Sequence, residues 1–344
     1  MISADKSGGK LTGYPVLFCF IGLLVFLGSC GEKKTSYTNL SGTAQGTTFN
    51  ISYQDSANRD YSKPVDSLFR LIDKSMSLWD SSSVISRIAR GEDVLLDEHF
   101  TAVFQRSQEI SKETNGAFDV TVGPLVKAWG FSYKKGLPPP DSSMVDSLLQ
   151  LIGYQKVGIK DGHLVKSDPR VSIDFNAIAQ GYTVDLMASF LEHKGVKNYL
   201  VEIGGELRTS GVNDKGLPWV IGIDKPVDDP EAGRPLQASL TLSNKSLATS
   251  GSYRKFIIKD GRKFSHAINP ANGWPIEHNL LSVSVIADDC TRADALATAF
   301  LVMGQQRSME LAQILGVELY CISADEQGEL QVQTTPGFEA LINK

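Results

Sequence analysis

Val171-Ser172-Ile173-Asp174-Phe175-Asn176-Ala177-Ile178-Ala179-Gln180-Gly181, continued from Tyr182 to Glu206, carries the pattern strand, glycine-bearing turn, helix, strand. Residues 171–175 alternate apolar and polar side chains, the period of a half-buried strand. The small side chains of 176–181 let a ligand or ion approach the backbone. From Tyr182 the apolar residues Val184, Met187, Ala188 and Leu191 recur at helical spacing, and Gly195 stands where such a helix stops. Tyr199-Leu200-Val201 reads as a fully buried strand running into Ile203-Gly204-Gly205-Glu206, a second close-approach turn beside a carboxylate. Both turns fit a ligand site and an ordinary α/β connection equally well, so the choice rests on the rest of the chain.

Towards the N-terminus, alternation after Gly46 predicts an early strand, and helices are expected over Val65–Leu78, Val84–Ala89 and Phe100–Thr114. Serines cap the second helix, and Asn115-Gly116 ends the third. Ala117–Leu125 is expected to be a buried turn or strand, within which Asp119 needs a partner for its charge. Lys135–Asp141, rich in proline, is a candidate lid. A helix over Ser142–Leu151 and a hairpin about Asp161-Gly162 lead into the central segment. Beyond it, strands are expected at Trp219–Asp224, Leu236–Leu242, Leu247–Ser250 and Leu281–Ile286, with a hairpin turning at Asp260-Gly261 and a helix after Ile286. Helices mixed with antiparallel hairpins indicate an α+β class.

The 344 residues allow one elaborate domain or two. A net charge of -5, with lysine and arginine scattered along the chain, argues against a nucleic-acid partner. Near the start, Lys6 and Lys10 precede an apolar run from Val16 to Leu27 that is short for a membrane span. It ends in Leu27-Gly28-Ser29-Cys30, which resembles a bacterial lipobox. That resemblance implies a signal peptide over 1–29, lipidation of Cys30, a polar tether over 30–39 and a folded domain over 40–344. The protein is then expected in the bacterial cell envelope, lipid-anchored on the extracytoplasmic or periplasmic side of a membrane. Cys290 and Cys321 remain in the folded part, as a disulfide pair in an oxidising compartment or as buried thiols.

Chemistry concentrates in the last third. His266, in Ser265-His266-Ala267-Ile268-Asn269-Pro270, sits where a strand meets a turn, a position that structural histidines also occupy. Asp294 and Thr298 lie four apart on a helix, so their oxygens share a face. A carboxylate and a hydroxyl in that relation suit Mg²⁺ shared with substrate phosphates, although such a pair is more often a surface feature.

Six segments occur in a fixed order: Gly46-Thr47-Thr48, Ala117 to Thr121, Ser172-Ile173-Asp174 with Ala177 to Gly181, Glu202 to Glu206, Ser265 to Pro270, and Ala293 to Thr298. Together they resemble the ApbE family, the FAD:protein FMN transferases, from about Gly46 to Gly304. The resemblance implies an α+β fold of the T-fold type, with FAD bound between its halves and Mg²⁺, or Mn²⁺, at the pyrophosphate. It implies metal ligation by the Ala177 carbonyl, Asp294 and Thr298. Gln45, Trp79, Ala117, Phe118, Asp119, Asp174, Gln180 and Ile268 would line the FAD site, and His266 would be catalytic. Two positions depart from the family pattern: Gln180 stands where lysine is frequent, and Gln45 replaces the methionine usual before Gly46. The lost charge is expected to alter FAD affinity and leave the chemistry in place.

The activity so implied is transfer of FMN from FAD to a threonine of a partner such as a membrane subunit of an Nqr or Rnf redox complex, with release of AMP. Splitting a pyrophosphate needs positioning and charge neutralisation more than covalent catalysis, and a histidine is suited to take the proton of an attacking hydroxyl. Hydrolysis of FAD to FMN and AMP, and FAD binding without catalysis, are the alternatives.

Overall fold

The computed structural model describes residues 36–131, 139–227, 233–253, 256–259 and 262–343, all within one compact unit, Thr35–Lys344. The expected signal segment, Cys30, most of the proline-rich loop and the Asp260-Gly261 turn lie outside the described residues. In chain order, the hairpin β1 (Tyr37–Ala44) and β2 (Thr47–Gln54) is followed by α1 (Ser62–Met76), α2 (Val84–Ala89) and α3 (Glu98–Glu113). A 3₁₀ turn (Val120–Val122) opens into α4 (Gly123–Ala128). Then come α5 (Ser142–Leu149), a second 3₁₀ turn (Tyr154–Lys156) and the hairpin β3 (Val157–Lys160) and β4 (His163–Lys166). The central unit is α6 (Ala179–His193), β5 (Asn198–Ile203) and β6 (Glu206–Ser210). After it come β7 (Trp219–Asp224), β8 (Leu236–Leu242), β9 (Ser246–Gly251), β10 (Phe256–Lys259), β11 (Arg262–Ser265) and β12 (Leu280–Ala287). The chain ends with α7 (Cys290–Met303), α8 (Gln305–Leu315), β13 (Glu318–Ala324), β14 (Leu330–Thr334) and α9 (Pro336–Glu339).

An eight-stranded antiparallel sheet, ordered β1-β2-β5-β6-β9-β12-β13-β14, divides the molecule into layers. Because alternate side chains leave a strand on opposite faces, the inner strands β9, β12 and β13 feed two cores. On one face, Tyr199, Val201 and Ile203 of β5 pack with Val184, Met187, Ala188 and Leu191 of α6. Val283 and Val285 of β12 pack on that side with Phe300 and the small residues of α7. On the other face, Leu247, Ile286, Tyr320 and Ile322 meet Trp219, Ile221, Leu240 and Leu242 of the β7–β8 hairpin. Helix α7 is buried almost all round, as expected of a helix held between a sheet and other helices. The structure is α+β, as the mixture of helices and hairpins indicates.

Several local expectations change. Residues 171–175 form no ladder, although Val171, Ile173 and Phe175 are buried and alternate as a strand would. The segment is an extended strap over α3: the Phe175 ring meets Phe100 edge-on at 5.0 Å, and the Asp174 N–H donates to the Val120 carbonyl at 2.8 Å. Period two reports which side is buried, and a neighbouring strand is a separate matter. Ala117–Leu125 becomes the first 3₁₀ turn and the start of α4, because Asp119 caps that turn and Pro124 is tolerated at the first helical turn. Strand β5 is not buried on both sides, since Leu200 and Glu202 keep some exposure. Cys290 and Cys321 are free and buried.

One glycine fixes the distance between the two helices of the central layer. A Cβ at Gly181 would lie 2.4 Å from the Cys290 carbonyl oxygen and 2.8 Å from the Asp294 Cβ. Gly181→Ala is therefore expected to force α6 and α7 apart and destabilise the fold by about 1–3 kcal/mol, read as a lower midpoint in urea unfolding. A second prediction concerns Asp55, at the end of β2. Its Oδ2 accepts from the Ala57 N–H, the Arg59 N–H and Arg59 Nε at 3.2, 2.9 and 2.9 Å. The hydrogen-bonded Arg59 guanidinium lowers the Asp55 pKa to about 2. A depressed folded-state value stabilises above the unfolded value of about 3.9, and that stability is lost as pH falls through about 2. Asp55→Asn should lower stability at pH 7 and flatten the loss of stability between pH 4 and 2, as checked by thermal melts across that range.

Candidate active site

The first turn of α6 and one stripe of α7 face each other across Gly181. Asp289 caps α7, its carboxylate accepting from the Arg292 N–H at 2.7 Å. Just past the first turn, Asp294 is buried and its Oδ2 accepts from the Gly181 N–H at 3.0 Å. That N–H is one of the donors that a helix N-terminus leaves unsatisfied. Burial pushes the Asp294 pKa up to about 7, and the neighbouring Asp185 carboxylate pushes the same way. A carboxylate this poorly compensated is stabilised by a cation, which restores its ionised form. Four residues on, Thr298 Oγ1 lies 3.0 Å from Ser250 Oγ of β9. Ala177 stands just ahead of α6, in a tight turn whose Phe175 carbonyl accepts from the Ile178 and Ala179 N–H groups at 3.1 and 2.9 Å.

Carboxylate, hydroxyl and carbonyl are hard oxygen donors, suited to Mg²⁺ or Mn²⁺ over zinc. The under-compensated Asp294 beside the Thr298 hydroxyl fits such an ion. No group of three or more His, Cys, Asp or Glu side chains with metal-binding geometry occurs among the described residues. A cation here would draw its remaining ligands from backbone, substrate and water.

The residues expected to line the FAD site divide by exposure. Asp174 is half-buried, accepts from the Asn176 N–H at 2.8 Å and has its pKa raised by burial. The start of α4 abuts it, because a Cβ at Gly123 would lie 3.5 Å from the Asp174 Cβ. Asp119 is buried and fully engaged: Oδ1 accepts from the Thr121 N–H and hydroxyl at 2.8 and 2.6 Å, and Oδ2 from the Tyr154 N–H at 2.7 Å. These bonds are the partner its charge requires, and they oppose the upward pull of burial on its pKa. Phe118 lies in the core and Ile268 packs among Leu125, Trp129, Val145 and Phe264, so both can meet a ligand only through the backbone. Ala117 is half-buried, and the Trp79 indole is 68% exposed.

Gln180 lies in the first turn of α6, and Gln45, far away in sequence, reaches the same helix just past that turn. The Gln45 amide donates to Thr183 Oγ1 at 3.0 Å, and its Oε1 is buried without a hydrogen-bond partner. Gln180 Nε2 lies 2.8 Å from the place a Gly204 Cβ would occupy. Gly204, at φ +68°, also keeps the β5–β6 turn tight.

His266 follows β11, half-buried, with Phe131 edge-on at 6.2 Å. The loop after it is pinned by the Asn269 N–H to the Trp274 carbonyl at 2.9 Å and by Trp129 Nε1 to the Gly273 carbonyl at 2.9 Å. Asn269, Asn272, Trp274, Glu277, His278 and Val302 line a cavity of about 270 Å³ against this loop. Sequence reasoning missed Trp129 and Asp185. The available signal for Asp185 was a carboxylate directly beside Val184 on an otherwise apolar helical stripe.

The ApbE family model matches residues 45–321, from Gln45 into β13. The FAD:protein FMN transferase of Vibrio cholerae is 34% identical over 330 residues, covering 93% of this chain and 97% of that protein. That of Haemophilus influenzae is 32% identical over 322 residues, covering 90% and 92%. Among solved structures, the flavin transferase ApbE from Vibrio cholerae superposes with a TM-score of 0.79 at 32% identity, covering 89% of this chain and 99% of that one. The apo form of the Pseudomonas stutzeri flavinyl transferase ApbE gives 0.80 at 30% identity, covering 90% and 98%. With a match over most of its length in sequence and in fold, the chain belongs to the ApbE family.

Proposed function

We propose that this protein transfers the FMN moiety of FAD to a target protein, with Mg²⁺ at Asp294, Thr298 and the Ala177 carbonyl and a threonine hydroxyl as acceptor. The observation that carries the metal is the buried Asp294 carboxylate, which among the described residues accepts a single N–H, from Gly181. Bound there, Mg²⁺ would neutralise charge on the phosphoryl oxygens of FAD and on departing AMP. Asp174 and the backbone at Ala117, Phe118 and Ile268 hold the nucleotide, and the exposed Trp79 indole offers it an aromatic face. His266 takes the proton of the attacking hydroxyl as its oxygen bonds to the FMN phosphorus. The bond from that phosphorus to the AMP phosphate oxygen breaks, and AMP leaves with the bonding pair. Gln180 brings no charge to this site, so neutralisation rests on the metal.

The Leu27-Gly28-Ser29-Cys30 sequence supports lipidation of Cys30 and a short polar tether. No helix among the described residues is long and apolar enough to cross a membrane. Anchored in this way outside the cytoplasm, the enzyme would meet redox-complex subunits of the Nqr or Rnf type.

Incubation with FAD, Mg²⁺ and an acceptor subunit should add the mass of FMN to the acceptor and release AMP in step. AMP release at the same rate without acceptor would instead identify an FAD hydrolase, and intact FAD after hours would identify a binding protein. Asp294→Ala should slow transfer on the order of 10²-fold or more, with FAD binding still measurable by flavin fluorescence; normal turnover would remove the metal from this position. His266→Ala should cost about 10²- to 10⁴-fold in transfer rate with little change in FAD affinity. A weaker Kd with a normal rate at saturating FAD would make His266 an orienting group.

A further inference from the structure

The N-terminus of α7 is gripped by two carboxylates from different elements. Its own cap, Asp289, takes the Arg292 N–H. Asp185, from the middle of α6, takes the two donors before it: Oδ1 accepts from the Cys290 N–H at 3.0 Å and Oδ2 from the Thr291 N–H at 2.8 Å. Oδ2 also accepts from the Thr291 hydroxyl at 2.6 Å. Three of the donors that a helix start leaves unsatisfied therefore end on carboxylate oxygens, which also suit the positive end of the helix dipole. Asp185 is mostly buried, and Arg208 of β6 balances it at 3.1 Å while also reaching Glu192 at 3.1 Å. The Tyr199 hydroxyl donates to the same Glu192 oxygen, so the clamp continues into the sheet.

A single cap would suffice to start a helix, and the second carboxylate does something more specific. Cys290, Asp294 and Thr298 follow one another at intervals of four, so they form one stripe along α7. The stripe begins at the residue whose N–H Asp185 holds, and Gly181, on the same α6, abuts both Cys290 and Asp294. A slip of one residue at the origin of a helix turns every later side chain by about 100°. The geometry points to Asp185 as a positioning residue that fixes the rotation of α7, and thereby the aim of Asp294 and Thr298 into the metal site. The inference rests on the metal assignment made above. Asp185 and Thr291 themselves contribute no ligand.

Mn²⁺ titration of the FAD-free protein, followed by water-proton relaxation at a temperature well below unfolding, tests this without turnover. Asp185→Asn keeps the size of the side chain and replaces an accepting oxygen with a donating amide. It should raise the half-saturating Mn²⁺ concentration about 10-fold or more, the scale found for groups that orient metal ligands. The rate of transfer at saturating Mg²⁺ should change far less. Thr291→Val removes only the hydroxyl donor and should give a smaller shift in the same direction; it decides the matter if Asp185→Asn does not fold. Native Mn²⁺ affinity in the folded variants, whatever their melting temperature, would reduce Asp185 to a helix cap and overturn the inference. Asp294→Ala provides the reference: if it too binds Mn²⁺ normally, the metal assignment itself fails, a result distinct from failure of the clamp alone.

Discussion

The contact between the Gly181 backbone and the start of α7 governs the rest of the structure. Because Gly181 carries no side chain, its helix approaches the Cys290 carbonyl and the Asp294 Cβ closely enough for a main-chain N–H to reach a buried carboxylate. Two helices packed through ordinary side chains stand about 8–10 Å apart and leave a carboxylate between them exposed or unpaired. Here closeness and charge depend on each other. The approach creates the buried acid, and the acid draws in the N-terminal partial charge of α6.

The sheet supplies the rigidity that such a junction needs. Strands β9 and β12 lie beneath α7, β5 and β6 beneath α6, and they are neighbours in one continuous ladder. The β7–β8 hairpin closes the opposite face over β6, β9, β12 and β13, so those strands are packed on both sides. Ion pairs from Arg106 to Asp289 at 2.9 Å and from Arg292 to Glu113 at 2.7 Å join α7 to α3 as well. Movement of the helix is opposed from three directions, and the junction between sheet and helices is correspondingly stiff.

Much of this was legible in the chain. Glycine and asparagine marked the ends of α3, α6 and several hairpins because positive φ leaves few alternatives, and Asp294 with Thr298 declared a common face through their spacing alone. Residues 171–175 misled because burial on one side produces the same alternation with or without a neighbouring strand. No helix or strand was named beyond Gly304, where β13 and β14 complete the sheet and α8 packs on β13; β14 is an edge strand, half exposed, with little apolar pattern to betray it. Asp119 posed a question that the sequence could answer only in part: Thr121 is two residues on, but its other partner, Tyr154, arrives from 35 residues away. The gathering of Gln45 and Gln180 likewise depends on long-range packing that no local pattern encodes.

The tryptophans occupy unlike surroundings. Trp129 is buried against Phe264 and Trp274, with its indole N–H bound to the carbonyl of Gly273 in the loop that follows His266. Trp219 is buried on the far side of the sheet, bound to Ser210, and Trp79 stands in solvent. Indole emission shifts with local polarity and hydrogen bonding, so the molecule contains its own optical probes. Trp129 and Trp219, both buried, emit towards the blue, whereas the exposed Trp79 emits towards the red and is the indole open to a ligand from outside.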